Sequence, residues 1–293
     1  MISSSANKAR AITNSFTSGW ITTTLSQTVQ LGSGGASPSC PCIDGNELLY
    51  VVSGNGSTTG FFTVNPRTGV TTKYDAGGIV VTSLAVTFSG VVFMTTSSGG
   101  VYATGGSYGS FSGSTNLFTV ANGVFAGGIA VDDAGLNVYI VENTGGYFCK
   151  FNAWSGGTAT RTVLVSANLV NYPYRYNSFI LDQITGNIYL SCNTGLQQNV
   201  GFYASGGSTV NSTWGTRPGV GGQICINIDN KPIIFDGTYI IIPNSSGDSI
   251  IGTLSASAST LVGMGFIPSR TNRSYYSIGN ANPNTVTIYP SGY

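Results

Sequence analysis

The chain has 293 residues, of which 41% are hydrophobic, 7% are charged and 42 are glycine, and its formal net charge is +1. That apolar content excludes a solvated, disordered chain, and no apolar run approaches the roughly 20 residues that a membrane helix needs. Eleven basic residues, scattered singly from Lys8 to Arg273, exclude a nucleic-acid partner, which demands a dense basic surface.

Residues 1–18, MISSSANKARAITNSFTS, hold two cations with no apolar core after them, so they do not read as a secretory signal. The segment has too little apolar surface to offset the entropy of its own ordering. It reads as an arm whose anchors, Ile12 and Phe16, dock on another subunit. Residues 19–29 alternate and are rich in β-formers, and they read as a strand that precedes the first repeat.

From there a unit of short strands recurs. Its clearest copy is Phe125–Val165, where four β-branched or aromatic runs are separated by Gly135, Gly145-Gly146 and Gly156-Gly157. The second strand of each unit marks the period: Glu47–Val52, Val91–Thr95, Asn137–Val141, Asn187–Ser191, Thr238–Ile242 and Ser274–Ile278. Aligned on Tyr50, Phe93, Tyr139, Tyr189, Tyr239 and Tyr276, the steps are 43, 46, 50, 50 and 37 residues. A period in the forties with four strands per unit predicts an all-β fold, a six-bladed β-propeller of four-stranded antiparallel blades. The last unit lacks a fourth strand. Residues 19–29 are expected to supply it and so close the ring, which removes open strand edges. The predicted domains are therefore an arm, 1–18, and a propeller, 19–293.

Gly127–Val141, GGIAVDDAGLNVYIV, fits the G-I-A-V-D-x-x-G-N-V-Y-V pattern closely, and Asn177–Ser191, NSFILDQITGNIYLS, fits it loosely. These two units resemble NHL-type propeller repeats. The resemblance implies the ring and carries little about activity, because propellers host many functions.

The chain has no histidine and ten carboxylates, so acid–base chemistry would fall to carboxylates, tyrosine or lysine. Asp44, Asp132, Asp133, Asp182 and Asp229 all stand at the end of a first strand, where Asp caps the following turn through backbone amides. Glu47, Asp75, Glu142, Asp236 and Asp248 are dispersed. The enzyme this chain is weighed against is a six-bladed lactonase or gluconolactonase, and resemblance to that family would imply metal ligands of a Glu, two Asn and an Asp, several of them just before first strands. The matching positions are Gly127, Asn177, Gly222 and Val262 or Gly263, and only Asn177 offers such a ligand. No metal site and no cofactor is expected. The five cysteines, Cys40, Cys42, Cys149, Cys192 and Cys225, read as small buried hydrophobes. Trp20, Trp154 and Trp214 fall at or near fourth strands and read as rim packing.

Asn168–Asn177, NLVNYPYRYN, sits between two units. Its Tyr172, Tyr174, Arg175 and Tyr176 have the composition of a binding surface. A surface of Ser, Thr, Asn, Gly and Tyr in place of Lys and Glu suits a protein outside a cell. The sequence thus points to a non-enzymatic structural or binding propeller, extracellular or in a virion or phage attachment apparatus. Its expected partners are other protein subunits, through self-assembly or with virion proteins, and cell-surface glycan, without membrane insertion. A metal-dependent lactonase and a carbohydrate-binding propeller are the alternatives.

Overall fold

Short β-branched and aromatic runs broken by Gly, Asp and Asn pair with their immediate neighbours, because connections of two to eight residues suffice to reverse the chain. A computed structural model describes residues 29–30, 39–46, 48–52, 60–65, 68, 70–96, 98–166, 176–192, 198–217, 224–226, 232–235, 239–242, 249–253, 261–267, 274–279 and 285–290. Side-chain packing is described chiefly within the four sheets between β2 and β17.

After β1 (Val29–Gln30), the strands follow in groups. The first is β2 (Ser39–Ile43), β3 (Leu49–Val52), β4 (Phe61–Val64) and β5 (Thr71–Tyr74). The second is β6 (Val81–Val86), β7 (Val92–Thr96), β8 (Gly100–Ser107) and β9 (Ser110–Thr119), and the third is β10 (Val124–Val131), β11 (Asn137–Glu142), β12 (Phe148–Ser155) and β13 (Thr158–Val165). The fourth is β14 (Tyr176–Leu181), β15 (Ile188–Cys192), β16 (Gln198–Tyr203) and β17 (Asn211–Arg217). Then come β18 (Ile224–Ile226), β19 (Pro232–Phe235), β20 (Tyr239–Ile242) and β21 (Ser249–Thr253), and finally β22 (Leu261–Ile267), β23 (Ser274–Gly279) and β24 (Thr285–Pro290). Each group is a four-stranded antiparallel sheet in chain order, and the last has the order β1-β24-β23-β22. First strands lie beside first strands, β2 by β6, β6 by β10, β10 by β14, β14 by β18 and β18 by β22, with β22 also beside β2. The architecture is an all-β propeller.

Val29 pairs with Val286 and Gln30 with Thr285. Residues 19–28 of the expected closing strand, and the whole 1–18 arm, lie outside the described residues. The fifth unit corrects the strand reading. Its second strand is Pro232–Phe235, so Thr238–Ile242 and Ile250–Leu254 mark the third and fourth strands. Pro232 at the head of β19 hides that strand in the sequence. A proline at a strand's first residue gives up no ladder bond that the sheet requires.

The inner strands are buried on both faces, as in Leu49–Val52 and Val92–Thr96, which is why they read as continuous apolar runs. The outermost strands are mostly exposed, as in Thr71–Tyr74 and Thr158–Val165. The core therefore lies between sheets. Tyr50, Phe61, Leu84 and Met94 fill the layer between the first two, and Phe93, Phe118, Ile140 and Phe151 fill the next. Val141, Phe148, Ile188 and Tyr203 fill the third. Phe118 stacks on Phe151 at 5.2 Å between centroids and on Trp154 at 5.9 Å. Trp154 belongs to the third strand β12, inward of the fourth-strand position the sequence suggested. A bulge between Asn152 and Ser155, with Ala153 at φ 49°, aims it at the neighbouring sheet.

Replacing Phe118 by alanine empties one such layer, and the expected loss is about 3–5 kcal/mol of unfolding free energy. Val163→Ala on the exposed outer strand should change stability by less than about 1 kcal/mol. Urea denaturation of both variants checks this, and equal losses would mean that the core does not lie between the sheets.

Candidate functional site: the two faces of the propeller

Antiparallel order puts the turns from first to second strand and from third to fourth strand at one end of every sheet. The remaining connections fall at the other end. The first end, called here the turn face, is built on acidic corners. Asp44 Oδ1 accepts from the amides of Asn46 at 2.8 Å and Leu48 at 3.0 Å, while Tyr50 donates its hydroxyl to Oδ2 at 2.6 Å. Asp132 accepts from the Leu136 and Asn137 amides at 2.8 and 3.1 Å. Asp182 accepts from Ile184 and Thr185 at 2.9 and 3.3 Å. In the second sheet Thr87 takes this place, its Oγ1 accepting from the Val91 amide at 3.1 Å. The turn-capping role read from the sequence holds for these three aspartates, and Asp229 lies outside the described residues.

Asp133 does something else. Its Oδ1 accepts from the amide of Phe88 in the preceding sheet at 3.2 Å, and its own amide donates to Gln183 Oε1 in the following one at 2.9 Å. Gln183 Nε2 then donates to the Val131 carbonyl at 2.9 Å, and the Gly45 amide donates to the Phe88 carbonyl at 2.8 Å. Four successive turns are thereby laced together. Gly45 is required at this crossing, because a Cβ there would stand 2.7 Å from the Phe88 carbonyl oxygen. Burial, with Asp132 adding to it and the Phe88 amide opposing it, holds the Asp133 carboxyl above its usual range.

The turn face also carries exposed apolar side chains. Phe88, Leu136 and Ile184 in the inner turns are 64%, 64% and 80% exposed, and Val70 and Tyr108 in the outer turns are 61% and 39% exposed. Among the described residues Val163, on β13, is the only other large hydrophobic exposed to that degree.

The opposite end holds an ion pair that the sequence did not reveal. Glu142, fully buried at the end of β11, receives Arg161 Nε on Oε1 at 2.6 Å and Arg161 Nη2 on Oε2 at 2.9 Å. Asn122 Nδ2, from the β9–β10 connection, donates to Oε2 at 2.7 Å. Arg161 also lies 5.8 Å from the centroid of the Tyr147 ring. Burial alone would raise the Glu142 carboxyl, but the Arg161 and Asn122 hydrogen bonds and the Arg161 charge outweigh it, and the group is held below the usual carboxylate range. Burial and the Glu142 charge push the neighbouring Cys149 thiol up to about 12, so it stays protonated and is a poor nucleophile. Both oxygens of Glu142 are engaged, which ties β11 to the rim strand β13 and to the β9–β10 connection from the preceding sheet. The available signal was a lone Glu closing an apolar strand, with an Arg nineteen residues on.

Of the residues read as a binding surface, Tyr176 begins strand β14 and pairs with Cys192, so it does not belong to a loop as expected. Tyr172, Tyr174 and Arg175 lie outside the described residues. Ile12 and Phe16 also lie outside them. Asn177, the one match to a gluconolactonase ligand position, stands at the bulge of β14 between Tyr176 and Ser178. Gly127 falls within the corresponding irregularity of β10. Cys149 is buried and Cys42 is half-buried. Among the described residues no helix is long and apolar enough to cross a membrane.

Neither a protein-family model nor a curated protein sequence matches the chain. Solved structures do. The chain is similar to a protein of the nidogen/laminin complex at 14% identity and TM-score 0.57, over 83% of this chain and 92% of that one. It is similar to a protein described as a candidate gluconolactonase at 9% identity and TM-score 0.60, over 90% and 92%. A third likeness is to the catalytically inactive virginiamycin B lyase from Staphylococcus aureus with quinupristin, at 13% identity and TM-score 0.53, over 90% and 87%. At such identities the likeness establishes the propeller fold alone.

Arg161→Ala leaves the Glu142 carboxylate buried without its cation, and an expected loss of about 2–3 kcal/mol at pH 7 follows. The pH dependence has a definite sign. In the parent, the lowered carboxyl contributes stability that is present above the unfolded value and is lost as pH falls through the folded one. In the variant, burial favours the protonated acid, so the gap between the two proteins should narrow from pH 7 to pH 4. Urea unfolding at both pH values measures it, and a constant gap would rule out the charged pair.

Proposed function

We propose that this chain is a non-enzymatic structural and binding propeller exposed outside a cell, a virion or phage structural or host-attachment component. In this reading it is a six-bladed ring closed by residues 19–29, with residues 1–18 as an arm that docks Ile12 and Phe16 on another subunit. The observation that carries it is the division of labour among side chains. The carboxylates Asp44, Asp132, Asp182 and Glu142 are committed to turns and an ion pair, while the turn face offers Phe88, Leu136 and Ile184 to solvent. Committed acids suit scaffolding, and clustered exposed apolar groups suit a protein partner. The nidogen/laminin likeness is in keeping with a propeller that works by protein contact.

Two observations favour other readings. Asn177 at a first-strand bulge, with the gluconolactonase likeness, favours a metal-dependent lactonase. The Tyr172, Tyr174, Arg175 and Tyr176 stretch favours a cell-surface glycan as ligand. Stoichiometric presence of the protein in purified particles from its source is the expected outcome, measured by quantitative mass spectrometry. Absence from such particles, together with one tightly retained divalent metal per chain and lactone hydrolysis, would replace this reading with the enzyme.

Closure has its own test. Removing residues 1–29 should yield aggregated protein, because β24 loses its outer partner and presents an open edge. A truncated chain that stays free of aggregates with unchanged melting would show that no closing strand is needed.

A further inference from the structure

The sequence holds two Asn–Gly steps, Asn55–Gly56 and Asn122–Gly123, and the second lies among the described residues. Such a step carries its own reaction partners. Asparagine is among the thermally labile residues, and a glycine after it offers a backbone nitrogen that no side chain shields. Asn122 stands in the β9–β10 connection, against the Glu142 ion pair. Glu142 is ionised at neutral pH and can only accept, so the atom that Asn122 turns to it at 2.7 Å is the amide nitrogen.

Both reacting groups are held. The Gly123 amide donates to the Val120 carbonyl at 3.0 Å, and Gly123 takes a left-handed φ of 68° in this turn. The Asn122 carbonyl accepts from the Thr144 amide at 3.0 Å, and the Gly123 carbonyl accepts from the Asn143 amide at 3.1 Å. The nitrogen that could act as nucleophile is thus aimed at Val120, while the side chain it would attack is tied to Glu142. Ring closure needs both released together, because the Gly123 nitrogen must reach Asn122 Cγ.

We infer that Asn122–Gly123 is a self-modification site that the Glu142–Arg161 pair keeps silent, and that its product, once formed, holds the pair open. When the turn opens, the Gly123 amide nitrogen gives its proton to solvent base and attacks Asn122 Cγ. The bond from Cγ to Nδ2 breaks, Nδ2 takes a proton from water and leaves as ammonia, and a cyclic imide remains. Water then adds to either imide carbonyl and leaves aspartate or isoaspartate in place of Asn122. Either product puts a carboxylate where an amide donor faced Glu142. Two acceptors then meet with no proton between them, and their like charge opposes closing of the turn. The consequence is a slow, one-way loosening of the joint between the second and third sheets.

Tandem mass spectrometry of the full chain, held for weeks at pH 8, reads the conversion. In the folded protein it should run at least about thirty-fold slower than in the same chain unfolded in urea, since a charge-assisted and a neutral hydrogen bond must both open first. Glu142→Gln keeps the shape of the acceptor and removes its charge. Folded protein of that variant should convert about ten-fold faster than the parent, with equal rates in urea. Folded and unfolded parent converting alike, or a Glu142→Gln rate equal to the parent's, would overturn the guarded site. The effect of the product is read separately, by urea unfolding. Asn122→Ala removes only the donor, whereas Asn122→Asp adds the product's charge. The unfolding equilibrium constant of the aspartate variant at pH 7 should exceed that of the alanine variant by about ten-fold. That excess should shrink toward pH 4, where a proton returns between the two carboxyls. An aspartate variant as stable as the alanine variant at pH 7 would show that the product leaves the ion pair closed, and the one-way loosening would be wrong.

Discussion

No sheet in this protein can exist alone. Its inner strands are apolar on both faces, so each face stays exposed until another sheet covers it. The side-by-side succession of first strands answers that constraint, since a sheet set between two neighbours is covered on both faces. The cost of leaving a layer open is large. Burial of one Phe or Leu side chain contributes about 1.5–3 kcal/mol, and each layer buries several, among them Tyr50, Phe61 and Met94 in one and Phe118, Ile140 and Phe151 in another. Cohesion is therefore carried between repeats more than within them.

Polar groups follow the same logic at the two ends of the sheets. At the turn face the backbone must reverse, and the amides freed by the reversal are satisfied by Asp44, Asp132, Asp182 and Thr87. Asp133 and Gln183 extend the pattern sideways, joining turns of adjacent sheets. At the opposite end Glu142, Arg161 and Asn122 join β11, β13 and the β9–β10 connection. A buried ion pair of this kind adds little net stability over an apolar substitute but punishes the loss of one partner. Its effect is to hold neighbouring sheets in a single register.

These commitments bear on function. Acids that cap turns or neutralise arginine are poor candidates for proton transfer, and a thiol held protonated is a poor nucleophile. Among the described residues, the turn face also presents the apolar side chains of Phe88, Leu136 and Ile184 to water. Turns of that kind suit contact with other proteins.

The all-β class, the period in the forties and most strand positions were determined by the sequence alone, because each strand pairs with its neighbour across a short turn. The turn aspartates were legible for the same reason, since Asp132 and the Leu136 amide it holds are four residues apart. Where a local signal was masked, the reading failed: Pro232 concealed β19, and the Ala153 bulge moved Trp154 inward. Glu142 and Arg161 looked like dispersed charges because what joins them is strand pairing across β12. The lacing of Phe88, Asp133 and Gln183 spans 45 and 50 residues, and the gathering of Phe88, Leu136 and Ile184 on one face likewise comes from three different repeats. Only the tertiary structure decided these, because sequence periodicity records what each repeat does to itself, whereas contact between repeats depends on how the sheets are set side by side.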